Sequence, residues 1–218
     1  MGMNVVSSIV IGACLLLAGV SSAADVVATN LNDLLTSDST DARLPFRLEG
    51  TILYSDRSPV MHCDGRLIKL TALRLGLFTA LKPGDRITAN GYRWRRNFNV
   101  NAFTYLGRGP LPPSEDVNPK DLHDNRFANR LVRVRGTVTD VFRDDIDAGF
   151  LHFVLESDGA RLFASIAYGL TSAEWIRRLT GATVRLTGVC EASEGTLRPF
   201  MGCIVRCLDA QSVEIVKP

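Results

Sequence analysis

The sequence predicts an all-β fold with one minor helix, built as two tandem five-stranded barrels. Three observations predict it: an internal repeat, an apolar period of two inside each copy, and a capped helical segment in the second copy. The repeat is explicit. Asp33-Leu34 followed by Leu44-Pro45-Phe46-Arg47-Leu48-Glu49-Gly50-Thr51 returns as Asp121-Leu122 followed by Leu131-Val132-Arg133-Val134-Arg135-Gly136-Thr137. Pro83-Gly84-Asp85-Arg86-Ile87-Thr88-Ala89-Asn90-Gly91 returns as Thr180-Gly181-Ala182-Thr183-Val184-Arg185-Leu186-Thr187-Gly188. Phe46, Leu48 and Gly50 alternate with polar neighbours, and Val132, Val134 and Gly136 alternate with Arg133 and Arg135, the pattern of half-buried strands.

Composition is compatible with this. A chain of 218 residues with 46% hydrophobic and 22% charged side chains can pack a core and is not disordered. Lys+Arg 25 against Asp+Glu 23 leaves a net charge of +2. Such balance argues against wholesale attraction to nucleic acid or anionic membrane, so neither is the expected partner.

Along the chain, residues 1–24 contain no Asp, Glu, Lys or Arg, and residues 5–20 are apolar almost throughout. That run is shorter than the roughly 20 apolar residues of a membrane-spanning helix, and Ser21-Ser22-Ala23-Ala24 offers small residues to a signal peptidase. An export signal over 1–24 is expected, with location in the periplasm or on the extracytoplasmic face of the inner membrane. The n-region lacks Lys and Arg, which keeps an uncleaved anchor open. Unit one follows over 25–110 and is mildly basic. An acidic linker covers 111–125, and unit two covers 126–218. The approach to the linker, residues 107–116, holds three prolines and two glycines and favours an extended path.

Within unit two, strands are expected over 131–138, 151–155, 161–166, 183–190 and 200–208, with Asp158-Gly159 and Glu194-Gly195 as turns. Thr171 and Glu174 read as a capping box before Trp175, Ile176 and Leu179, which places a helix between strands three and four. Five short strands with a helix at that point is the order of an OB-like barrel. A glycine inside strand one, Gly50 or Gly136, permits the coiling that lets one strand pair with two neighbours. In unit one the helical slot falls on the weaker segment 75–81. A small β-sandwich is the alternative architecture.

Cys14 lies in the signal, and Cys63, Cys190, Cys203 and Cys207 remain beyond it. On one strand Cys203 and Cys207 would stand about 13 Å apart, too far to bond to each other, which leaves Cys190 as a partner for either. Small buried thiols are the other reading. Without C-x-x-C or H-x-x-x-H spacing, and with His62, His123 and His152 scattered, neither a metal nor a cofactor is expected.

On the phrases at 131–138, 106–112, 184–190 and 208–215, the chain resembles the extracytoplasmic N-terminal region of bacterial membrane sensor histidine kinases, in which OB-like units stand in tandem before a membrane helix. The resemblance covers roughly residues 30–217. It implies an input module that takes up a small ligand or protein signal, is joined to a membrane-anchored kinase portion, and performs no catalysis. These residues hold no phospho-acceptor His motif and no ATP-binding motif, so kinase activity is not carried over.

The densest mixture of aromatic and basic groups is Tyr92-Arg93-Trp94-Arg95-Arg96-Asn97-Phe98. On a continuous strand Tyr92, Trp94, Arg96 and Phe98 would share one face, and stacking with a cationic rim could hold a base, a sugar or an anion. The alternative is a hairpin end with core aromatics and solvated arginines. Asp144-Asp145-Ile146-Asp147 lacks the glutamate that closes a calcium shell. His62 and Cys63 point to opposite faces of any strand and form no dyad. With no nucleophile elbow or phosphate loop, a binding module is expected rather than an enzyme. One role is sensory input. The other is a free exported protein that binds oligosaccharide or nucleic acid.

Overall fold

The structure, a computed structural model, describes residues 27–37, 42–56, 59–124, 126–143, 148–192 and 203–217. The expected signal, the carboxylate loop 144–147, the Glu194-Gly195 turn and Phe200 lie outside them.

Helix α1 (Leu31–Thr36) leads the first barrel. It starts at Asn30, whose side chain accepts from the Asp33 amide at 2.9 Å, and it buries Leu31 and Leu34. The barrel itself is β1 (Leu44–Tyr54), β2 (Val60–Cys63), β3 (Arg66–Ala72), β4 (Asp85–Trp94) and β5 (Asn97–Arg108), closed in the order β1-β2-β3-β5-β4. All pairs are antiparallel except β3 with β5, where Leu70 stands opposite Phe98. This is the OB strand order.

The second barrel repeats it. After β6 (Glu115–Asp116) and a 3-10 turn (Pro119–Asp124) come β7 (Leu131–Arg143), β8 (Phe150–Ser157), β9 (Ala160–Ala167), helix α2 (Ala173–Leu179), β10 (Thr183–Ala192), β11 (Cys203–Cys207) and β12 (Val213–Lys217). Strand β7 pairs with β8 and with β10, so β7, β8, β9, β11 and β10 close on themselves, again with one parallel pair, β9 with β11. Strands β6 and β12 extend the sheet.

Each barrel has its own core. Phe46, Leu48, Ile52, Met61, Ile87 and Val100 fill the first, and Val132, Val134, Phe153, Leu155, Ile166, Val184 and Leu186 fill the second. The Asp-Leu element of the repeat now has a cause: Leu34 packs in the first core and Leu122 in the second. Val117 also lies in the second core, so the back half of segment 111–125 packs against barrel two.

Three local expectations are corrected. The slot at 75–81 is a run of turns and not a helix, although Phe78 and Leu81 are still buried. The cap of α2 is Ser172, whose Oγ accepts from the Trp175 amide at 3.1 Å; the Thr171 hydroxyl donates to the Tyr168 carbonyl instead. The fifth strand of unit two, expected over 200–208, ends at Cys207 because Leu208 and Asp209 already bend away; its described part is Cys203–Cys207, and 200–202 lie outside the described residues.

A third cluster joins the barrels. Leu53, Tyr54 and Val60 from the first meet Leu131, Val189 and Leu208 from the second. Polar groups cross the same seam. The Tyr54 hydroxyl donates to the Glu191 carboxylate at 2.6 Å, and Lys69 reaches Glu191 at 3.3 Å. Arg206, 7% exposed, ion-pairs with Asp56, and its guanidinium lies over the Phe150 ring at 3.7 Å. Burial and the Glu191 carboxylate push the Tyr54 hydroxyl far above the ordinary phenol range, so it stays a donor.

Candidate functional site at the hairpin tip

Strands β4 and β5 form a hairpin that turns at Arg95 and Arg96, with Trp94 paired to Asn97. Arg95 takes a left-handed backbone (φ 56°), and the turn stops the face alternation expected for a continuous strand. Arg96 therefore lies in the exposed turn and not in line with Tyr92 and Trp94.

Trp94 is 42% exposed, with the Arg95 guanidinium 5.0 Å from its ring centroid. Tyr92 is half-buried under the guanidinium of Arg43, at 4.9 Å. Arg93 turns the other way and donates to the Leu34 carbonyl in the last turn of α1, which tethers the helix to the hairpin. Asn99 donates across the hairpin to the Tyr92 carbonyl on β4 at 3.5 Å, and along its own strand to the Asn97 carbonyl at 3.3 Å. Phe98 is corrected out of the site. It is 6% exposed and packs edge-on against Phe46 in the core, with centroids 5.9 Å apart. Its apolar ring is worth more inside the barrel than beside Trp94. What remains on the surface is an indole platform with guanidinium groups around it, able to stack a planar group and pair an anion.

Two further groupings escaped sequence reasoning because their members come from different elements of the fold. Phe142 and His152 stack at 5.5 Å, and Arg143 lies 4.2 Å over the Tyr168 ring. A groove of about 710 Å³ runs over β7 past Arg133, Arg135 and Arg185. Its charge is largely internal, since Arg133 meets Asp116 at 3.6 Å and Arg185 meets Glu214 at 3.1 Å. Cys63 is buried, and burial first, then the Asp64 carboxylate, pushes its thiol up to about 12, the opposite of an activated nucleophile. Among the described residues no cluster of three His, Cys, Asp or Glu side chains could hold a metal. Among them, too, no helix is long and apolar enough to cross a membrane.

No protein-family model matches the chain, and no curated protein matches it in sequence. Among solved structures it is similar to asparaginyl-tRNA synthetase from Pyrococcus horikoshii, at 17% identity and TM-score 0.37, over 47% of this chain and 22% of that one. It thus spans less than a quarter of the synthetase's length. An OBody bound to hen egg-white lysozyme matches at 15% identity and TM-score 0.37, over 49% of this chain and 98% of that one. A murine DNA binding protein bound with double-stranded DNA matches at 10% identity and TM-score 0.36, over 73% and 92%. At these identities and scores none of them bears on what this chain binds.

Proposed function

We propose that the chain is a non-catalytic, exported binding module, the input region of a membrane sensor histidine kinase, which receives its ligand at the β4–β5 tip. The observation that carries the binding site is Trp94, an indole left 42% exposed with Arg95 over it and Arg96 in the adjoining turn. In a barrel of this order the loop between the fourth and fifth strands borders the face that takes extended ligands. A planar or ring-bearing anion suits the pair of features, stacking on the indole while the arginines meet its charge. The export-like residues 1–24 and the tandem-barrel resemblance support the sensory role. A free exported protein that holds oligosaccharide or nucleic acid at the same tip is the second reading, and the same exposed tryptophan favours it.

The test titrates the full chain with a single-stranded oligothymidylate and with a uronate oligosaccharide, each carrying an extrinsic dye, following fluorescence anisotropy. Trp94→Ala is expected to weaken binding of the accepted ligand by about 1–3 kcal/mol at unchanged melting temperature. Arg96→Ala should weaken it in a salt-sensitive way. Wild-type affinity in the Trp94 variant would overturn the site. For the sensory role, an encoded frame that continues past Pro218 into an apolar segment of roughly 20 residues and a kinase core is expected. Its absence would leave the second reading.

A further inference from the structure

Strands β10 and β11 carry three of the four described thiols, all buried: Cys190, Cys203 and Cys207. The antiparallel register sets Cys190 opposite Val205 and Cys203 opposite Ala192, so these two cysteines are diagonal neighbours on the inward face. Cys207 stands opposite Gly188, at the far end of the ladder from Cys203. Both Cys190 and Cys203 are fully enclosed in the second core, and their thiols are in hydrogen-bond contact.

We propose that Cys190 and Cys203 are a disulfide-forming pair, a covalent staple between β10 and β11 that closes when the protein folds under oxidising conditions. Diagonal partners in a regular ladder lie about 7–8 Å apart at Cα, and a disulfide needs no more than about 6.8 Å. The approach required is about 1 Å, and Ala192 with Cys203 is the last registered pair of the ladder, where a strand end moves at least cost. Both side chains lie on the inward face of the ladder, so no rotation of a strand is needed. In the reaction two S–H bonds break and one S–S bond forms. Oxidised glutathione, or another small disulfide, accepts the two electrons and two protons and leaves as two thiols.

Burial, followed by contact with Cys203, raises the Cys190 thiol well above its ordinary range, so thiolate is scarce in the folded state. The staple therefore belongs to folding, before the core excludes the oxidant. The same enclosure protects it from reductants afterwards. The inference does not depend on the proposed ligand or on export, because the oxidant is supplied in the experiment.

The full chain is unfolded in denaturant with all thiols reduced, then refolded with and without a mixture of oxidised and reduced glutathione. Maleimide labelling under denaturing conditions and peptide mapping follow. The expected result is, before labelling, a mass lower by two hydrogens, then a Cys190–Cys203 cross-linked peptide with Cys14, Cys63 and Cys207 labelled. The cross-linked form should unfold on the order of 10 °C higher than the reduced form. Cys203→Ser should refold, lose the mass change and expose Cys190 to label. Four labelled thiols beyond the signal after oxidative refolding, or a cross-link through Cys14, Cys63 or Cys207 in place of this pair, would overturn the proposal.

Discussion

Gly188 and Gly136 occupy strands that pair with each other, yet they bear different loads. A Cβ on Gly188 would stand 2.4 Å from the Arg206 carbonyl oxygen and 2.8 Å from its carbon, backbone atoms that cannot swing aside. A Cβ on Gly136 would meet the Glu156 carbonyl oxygen and Leu155 Cβ at 3.1 Å, tight but within reach of a small shift. Gly188→Ala is therefore expected to cost about 3 kcal/mol or more, and Gly136→Ala about 1 kcal/mol. Gly136→Val, which must also place two methyl groups, should cost a few kcal/mol. Denaturant unfolding of the three variants checks the order, and a Gly188→Ala protein as stable as wild type would refute the close approach of β10 and β11.

At the scale of the element, the two residues before α2 separate a cap from a neighbour that only looks like one. Ser172→Ala should cost about 1 kcal/mol because the Trp175 amide loses its acceptor, whereas Thr171→Ala should cost less. Strand β11 adds a pH dependence. Burial pushes the Cys207 thiol up to about 12 from an ordinary value of 9.0. The unfolded chain releases this proton near pH 9 while the folded chain keeps it, so stability is fully present below pH 9 and falls as pH rises toward 12. The slope approaches 1.4 kcal/mol per pH unit for a single buried thiol. Denaturation curves at pH 8 and pH 10.5 should show a smaller loss in Cys207→Ala than in the wild type.

The whole molecule depends on the seam. Arg206 of barrel two pairs with Asp56 of barrel one while its guanidinium is sandwiched against Phe150 and Tyr54, at 3.7 and 5.4 Å. Asp56→Ala leaves that charge enclosed and uncompensated, with an expected loss of about 3 kcal/mol. Arg206→Met with Asp56→Asn removes both charges and should recover most of it. Because apolar side chains from both barrels also meet there, the wild type should melt in one calorimetric transition, and Asp56→Ala in two. Two transitions in the wild type would show that the barrels do not stabilise each other.

Strand alternation in Val132, Val134 and Gly136, the matching Asp-Leu elements and the Asp158-Gly159 turn were legible because each is a local pattern with a fixed period or a fixed backbone demand. Asp64-Gly65, not among the expected turns, closes the β2–β3 hairpin with both residues at positive φ. Of the candidate site, Trp94 and its arginines were visible as a dense run, but the hairpin turn at Arg95 and the inward aim of Phe98 were not, since both depend on where β4 stops and β5 begins. The seam was invisible for a related reason. Tyr54 finds Glu191, and Asp56 finds Arg206, only after two separate barrels have closed and docked. Sequence by itself determined two repeated β units and an aromatic, basic candidate segment, because period and composition are properties of neighbours along the chain. Tertiary structure decided which of those residues face water, which thiols meet and how the barrels join, because these depend on contacts between residues distant in sequence.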